Sequence, residues 1–130
     1  MKKFYIIVLM AFLGFRVQKT NAQCSILYNF NVMPDGSFPV NSLIYDGAFL
    51  YGMTSYGGTT NTNGIIFKIK PDGSSYLKLL NFTGITNGSN PQGALISDGV
   101  FLYGMTNAGG AKDSGTAFKI KPDGSGYVKL

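Results

Sequence analysis

The chain has 130 residues, of which 45% are apolar, with 18 glycines, one cysteine and no histidine, tryptophan or glutamate. Its formal charge of +5 is concentrated at one end: Lys2, Lys3, Arg16 and Lys19 precede Gln23, after which seven lysines face six aspartates, a net +1. That size holds one small domain or a piece of a larger one. The near-neutral remainder argues against nucleic acid as a partner, and one cysteine cannot form an internal disulfide.

The first segment reads as a secretory signal. A positive start, "MKK", leads into an apolar run from Phe4 to Phe15, and Thr20 and Ala22 offer small residues before a cleavage site at Ala22/Gln23. The run has 12 residues, whereas a membrane-spanning helix needs roughly 20. Residues 1–22 are therefore expected to be removed, leaving a chain without a membrane span that is secreted or held at the cell surface. Cys24 raises the alternative of a lipid anchor, but Asn21 and Gln23 do not suit that signal; the plain reading is a free thiol near an end.

From residue 23 onward the chain repeats itself. "FLYGMTSYGG" (Phe49 to Gly58) returns as "FLYGMTNAGG" (Phe101 to Gly110), an offset of 52 that also relates Phe30 to Phe82, Pro39 to Pro91 and Asp46 to Asp98. "FKIKPDGS" at Phe67 returns at Phe118, an offset of 51, so one residue is lost in the loop between the second and third strands. The units run approximately over residues 27–78 and 79–129.

Each unit reads as four short strands. In the first, "SLIYD" (Ser42 to Asp46) turns through Asp-Gly into "AFLYGMT" (Ala48 to Thr54), and a Gly-rich loop leads to "GIIFKIK" (Gly64 to Lys70). "PDGS" then turns the chain into "SYLKLLNF" (Ser75 to Phe82). Phe49, Tyr51 and Met53 share one face by alternation; Ile65, Phe67 and Ile69 share one too, with Lys68 and Lys70 pointing the other way. No window shows helical spacing, so the segment is expected to be all-β, without a helix. A four-stranded antiparallel unit of about 50 residues repeated head to tail is the sequence form of a β-propeller blade, and this chain holds about two. Gly52 and Gly104 are expected to permit close approach where blades converge.

These residues resemble the GloVer-type tandem repeat of secreted bacterial proteins, whose pattern runs DG-x-LYG-x-T, a GG loop, G-x-x-F-K, PDG and a closing L-x-x-F. The resemblance runs from Ile26 onward. Met53 and Met105 stand where the family often carries a small or hydroxyl residue, a departure that the core should tolerate. What the resemblance implies is an extracellular, propeller-like array of many such units. It supplies no catalytic residues.

Chemistry is sparse. Asp35, Asp46, Asp72, Asp98 and Asp123 each precede a glycine, the pattern of a tight turn. Only Asp113 is free of that duty, and its counterpart loop has no acid. No loop has the several clustered carboxylates that calcium wants, and no phosphate loop is present. No catalytic residue, cofactor or metal is expected. The tyrosines fall mostly at strand positions that packing explains; Tyr56 lies in the Gly-rich loop. With Asn61, Asn63, Lys112 and Asp113 it marks the variable surface between the second and third strands, which is the candidate ligand-binding loop.

The function expected is a non-catalytic repeat module for binding, adhesion or scaffolding at the bacterial cell surface, its ligand a glycan or protein. The alternative is the accessory or shell blades of an extracellular carbohydrate-active enzyme; a third reading is a fragment with no function of its own. "SILYNF" (Ser25 to Phe30) corresponds to the closing strand of a unit, and Leu130 falls inside one. The chain is thus expected to be part of a longer array, completed by further repeats or self-associating through open strand edges.

Overall fold

A computed structural model describes residues 24–59 and 63–130; the segment read as a signal, 1–22, lies outside the described residues. In chain order there is a short turn α1 (Val32–Asp35), then β1 (Ser37–Tyr45), β2 (Leu50–Tyr56), β3 (Ile65–Ile69) and β4 (Leu77–Asn81). The second unit follows as β5 (Ser89–Pro91), β6 (Ile96–Ser97), β7 (Leu102–Ala108), β8 (Thr116–Ile120) and β9 (Val128–Lys129). The strands form two antiparallel sheets, ordered β1-β2-β3-β4 and β5-β7-β8-β9, with β6 also on β7. The described chain is all-β in class.

The two sheets share their register. Gly52 faces Phe67 and Met53 faces Ile66 in the first; Gly104 faces Phe118 and Met105 faces Ala117 in the second. Pro39 pairs with Thr54 as Pro91 pairs with Thr106. The repeat seen in sequence is therefore a repeat of hydrogen bonding.

Three expectations need correction. The second sheet has five strands rather than four, because β5 and β6 together take the place of β1. The cause lies at one position: Asn41 bulges β1 with φ 72°, and Gly93, 52 residues later, takes φ 90° and interrupts the pairing. The first strand also begins at Ser37, five residues before the expected Ser42, since the Gly-flanked "SFPV" still pairs across the bulge. The helical turn α1 was not expected. It spans four residues and Met33 within it is extended, so it is a loop held by side chains rather than a helix with an apolar face. The Tyr28 hydroxyl donates to the Asp35 carboxylate at 2.8 Å, and the Tyr76 hydroxyl donates to the Asp35 carbonyl at 2.7 Å.

The reason for glycine at 52 and 104 also differs from expectation. A side chain at Gly52 would begin 2.7 Å from Phe67 Cζ and 2.6 Å from Leu43 Cδ2; at Gly104 it would begin 2.6 Å from Phe118 Cζ. All these neighbours belong to the glycine's own sheet. The cross-strand phenylalanine lies down over the glycine, and the missing side chain makes room for the ring.

Alternation gives the first sheet two apolar faces, and both are used. Tyr51, Met53 and Ile66 pack against the second sheet, where Leu95, Phe118 and Ile120 complete the main core with Phe82. Ile65, Phe67 and Ile69 form a second cluster, covered by Tyr28, Phe30 and Tyr76. Phe30 meets Phe67 edge to face at 5.1 Å, and Phe82 meets Phe118 the same way at 5.4 Å. Each phenylalanine comes from the strand or segment preceding the sheet whose core it fills. Burying one such ring contributes roughly 1.5–3 kcal/mol.

Candidate functional site

Antiparallel order places the β2–β3 and β7–β8 loops at one end of their sheets and the Asp-Gly and Pro-Asp-Gly turns at the other. At the loop end, the backbone is tight. A side chain at Gly57 would begin 2.5 Å from the Val32 carbonyl oxygen, and one at Gly109 would begin 2.5 Å from that of Gly84. The loops are thus pinned against the chain entering each unit. The Thr59 N–H and hydroxyl both donate to Asn81 Oδ1, at 3.1 and 3.2 Å, and Lys78 Nζ donates to Thr59 Oγ1 at 3.2 Å.

The five residues singled out from sequence fall as follows. Tyr56 is the last residue of β2 rather than a loop residue; it is 45% exposed and meets Phe38 edge to face at 5.7 Å. Asn61 lies outside the described residues. Asn63 sits on the seam between units, where its carbonyl accepts from the Asn90 N–H at 2.9 Å. Lys112 is exposed, and its carbonyl accepts from the Ser114 hydroxyl at 3.1 Å. Asp113 closes its own loop: its carboxylate accepts from the Gly109 N–H at 2.7 Å, with φ 52°. Among the described residues no hydrogen bond or aromatic contact joins these side chains to one another. The four described ones share none of the three clefts that involve these sheets.

The opposite end carries a constellation that sequence reasoning did not find. Asp46 Oδ1 accepts from the Ala48 and Phe49 N–H groups, and Oδ2 accepts from the Tyr51 hydroxyl at 2.7 Å. Asp98 holds Val100, Phe101 and Tyr103 in the same way, again with 2.7 Å to the hydroxyl. The Phe49 N–H foremost, then the Tyr51 hydroxyl, hold the Asp46 carboxyl below the usual range, while burial and then Asp46 push the Tyr51 phenol up. Beside each clasp a lysine lies over a phenylalanine: Lys68 Nζ is 4.7 Å from the Phe49 ring and Lys119 Nζ 4.6 Å from that of Phe101. Lys68 also donates to the Pro122 carbonyl of the second unit at 3.3 Å. The signal that could have found the clasp is the spacing D-G-x-x-x-Y, present in both units.

A cleft of about 380 Å³ opens between the two clasped ends, lined by Tyr45, Asp46, Tyr51, Ser97, Gly99 and Pro122. Its one carboxylate, Asp46, already accepts from three local donors. Asp72 and Asp123 accept from the N–H groups of Ser74 and Ser125. Five of the six aspartates therefore hold their own loops or turns, while Asp35 accepts from the Tyr28 hydroxyl and the Asn31 side chain upstream of its turn. Among the described residues no cluster of three or more potential metal ligands exists, and no helix is long and apolar enough to cross a membrane.

A family model described as the Gloeobacter/Verrucomicrobia repeat (Gleo_Verruco) matches residues 13–130. No curated protein and no solved structure matches the chain. The matched span takes in both sheets, the paired clasps and both Gly-Gly loops, and on that ground the chain belongs to the Gloeobacter/Verrucomicrobia repeat family.

Proposed function

We propose that this chain is a secreted, non-catalytic module for binding, adhesion or scaffolding at the bacterial cell surface, its units acting as blades of a β-propeller-like array. The observation that carries the reading is the use of the carboxylates. Five of the six aspartates are hydrogen-bonded within their own turn or loop, Asp35 accepts from the Tyr28 hydroxyl and the Asn31 amide upstream of it, and the chain has no histidine or glutamate to act instead. What varies between the units is the end of β2 and β7 and the loop that follows each: Tyr56 is replaced by Ala108, and only the second loop carries an acid, Asp113. A rigid sheet carrying variable loops is a scaffold for recognition.

The test is a localisation and binding experiment on the chain expressed with its own leader. Mass spectrometry of the extracellular fraction should give a chain beginning at Gln23. The labelled secreted chain should bind surface glycans or proteins, with binding reduced by Tyr56→Ala combined with Lys112→Ala. Retention of Met1 in the cytoplasm, or turnover of glycoside substrates by the purified chain, would overturn the reading.

A further inference from the structure

Met53 and Met105 hold one position in two sheets, yet Met53 is 2% exposed and Met105 63%. The difference is what lies over them. Met53, Tyr51 and Ile66 are covered by the second sheet, through Phe82, Leu95 and Phe118. The corresponding face of the second sheet, bearing Tyr103, Met105 and Ala117, has no sheet against it among the described residues, and a shallow groove of about 240 Å³ runs along it.

The receiving half of the same junction, at the other end of the molecule, has no sheet against it among the described residues. Phe30, Leu43 and Phe67 are the counterparts of Phe82, Leu95 and Phe118, and Leu43 is 46% exposed where Leu95 is 3%. Between Leu27, Tyr28 and Phe30 on one side and Pro39, Leu43 and Ile69 on the other lies a groove of about 350 Å³. The projecting and receiving residues thus repeat those of the internal junction, with Tyr103 for Tyr51, Met105 for Met53 and Leu43 for Leu95.

We propose that a second copy of this chain docks on the open face of the second sheet, its Phe30 and Leu43 taking the places that Phe82 and Leu95 hold at the internal junction, and Met105 entering the groove beside Leu43. The contact is head to tail, one face meeting a different one, so it generates rings if the rotation closes and filaments if it does not. It does not depend on where the chain resides or what its loops bind.

The test uses the purified full-length chain with Met105→Asp on the projecting side and Leu43→Asp on the receiving side. Both positions are exposed, and thermal melts check that each variant folds; Ala117→Lys serves as a second projecting-side variant. In sedimentation up to about 100 µM the unaltered chain should associate with concentration, and each variant alone should lose at least about tenfold in association constant. Mixing Met105→Asp with Leu43→Asp should restore association but stop at a pair, since only one good junction can form. An unaltered chain that stays monomeric, variants that associate as the parent does, or a mixture that stays monomeric would each overturn the proposal. Association surviving all three variants would assign the contact to a strand edge instead.

Discussion

The Tyr51 hydroxyl donates to the Asp46 carboxylate at 2.7 Å, closing a loop of six residues, and the Tyr103–Asp98 pair repeats it at the same distance. Each pair fixes the strand that carries the tyrosine to the turn that starts it, and each ties stability to protonation.

The pH profile follows from these groups. The Phe101 N–H, the Tyr103 hydroxyl and the Val100 N–H hold Asp98 down to about 2. An unfolded aspartate titrates near ~3.9. A carboxyl depressed in the folded state adds stability above its unfolded value and loses it as pH falls through the folded one. On the alkaline side burial, then Asp35, raises Tyr28 to about 12. That contribution is complete below the unfolded tyrosine value, near ~10, and fades as pH rises toward the folded one. Thermal melts should show a plateau from about pH 4 to about pH 10 with declines on both sides, and Asp98→Asn should flatten the acid limb. A melting temperature unchanged from neutral pH down to pH 2 would refute the assignment.

Truncating the rings that fill each sheet should be costly. Phe118 is fully buried between the two sheets, and Phe118→Ala is expected to lose about 3–5 kcal/mol by chemical denaturation. Gly104→Val fills the space beneath that ring and should cost about 1–3 kcal/mol. If the glycine variant unfolds at the same denaturant concentration as the parent, the ring does not lie where described.

Two neighbouring positions of the β7–β8 loop should respond unequally to alanine. Lys112→Ala is expected to stay within about 0.5 kcal/mol of the parent, because no other residue leans on its side chain. Asp113→Ala removes the acceptor for the Gly109 N–H and leaves a β-carbon at φ 52°, so it should destabilise clearly more. Asp113→Asn, which keeps both an acceptor and a side chain tolerant of that backbone, should recover most of the loss. Equal melting temperatures for Asp113→Ala and the parent would remove the loop-closing role.

Among the described residues Lys68 is the one side-chain cation that both covers an aromatic ring of its own unit and reaches the next unit, at Pro122. Lys68→Met keeps the stem and removes the charge. A loss of about 1 kcal/mol is expected, roughly the sum of a small cation–π term and one hydrogen bond to a charged donor at a partly exposed site. Lys119→Met, whose ammonium lies over Phe101, should cost less, since no bond to a neighbouring unit goes with it. The comparison of the two melts decides.

The sequence made the sheets legible because period and repeat agreed. Two copies of one pattern, offset by 52, identify the strands by what they share and the loop by what it loses. Alternation placed Tyr51 and Met53 on one face and Ile65 and Phe67 on the other, where the structure has them. The misses were tertiary. Nothing in the spacing of Gly52 says that a ring lies over it, since Phe67 is brought there only by pairing. The break at Gly93 was hidden for a similar reason: Asn41 holds a comparable backbone without ending its strand. At the candidate loops, sequence contrast located the variable residues but could not show that Asp113 serves its own backbone.

Phe82 carries a practical consequence. It directly follows the last strand of the first sheet, yet its ring sits in the core of the second, as Phe30 sits in the core of the first. A unit excised at the strand ends would leave behind the side chain its own interior needs, and the recipient would inherit an orphaned ring. The portable cassette instead opens upstream of Leu79, so that it travels with its own Leu79, Leu80 and Phe82. Whatever process duplicates or shuffles these repeats can therefore add a copy with its filling already attached, and an array built this way should melt as a chain of coupled neighbours rather than as independent beads.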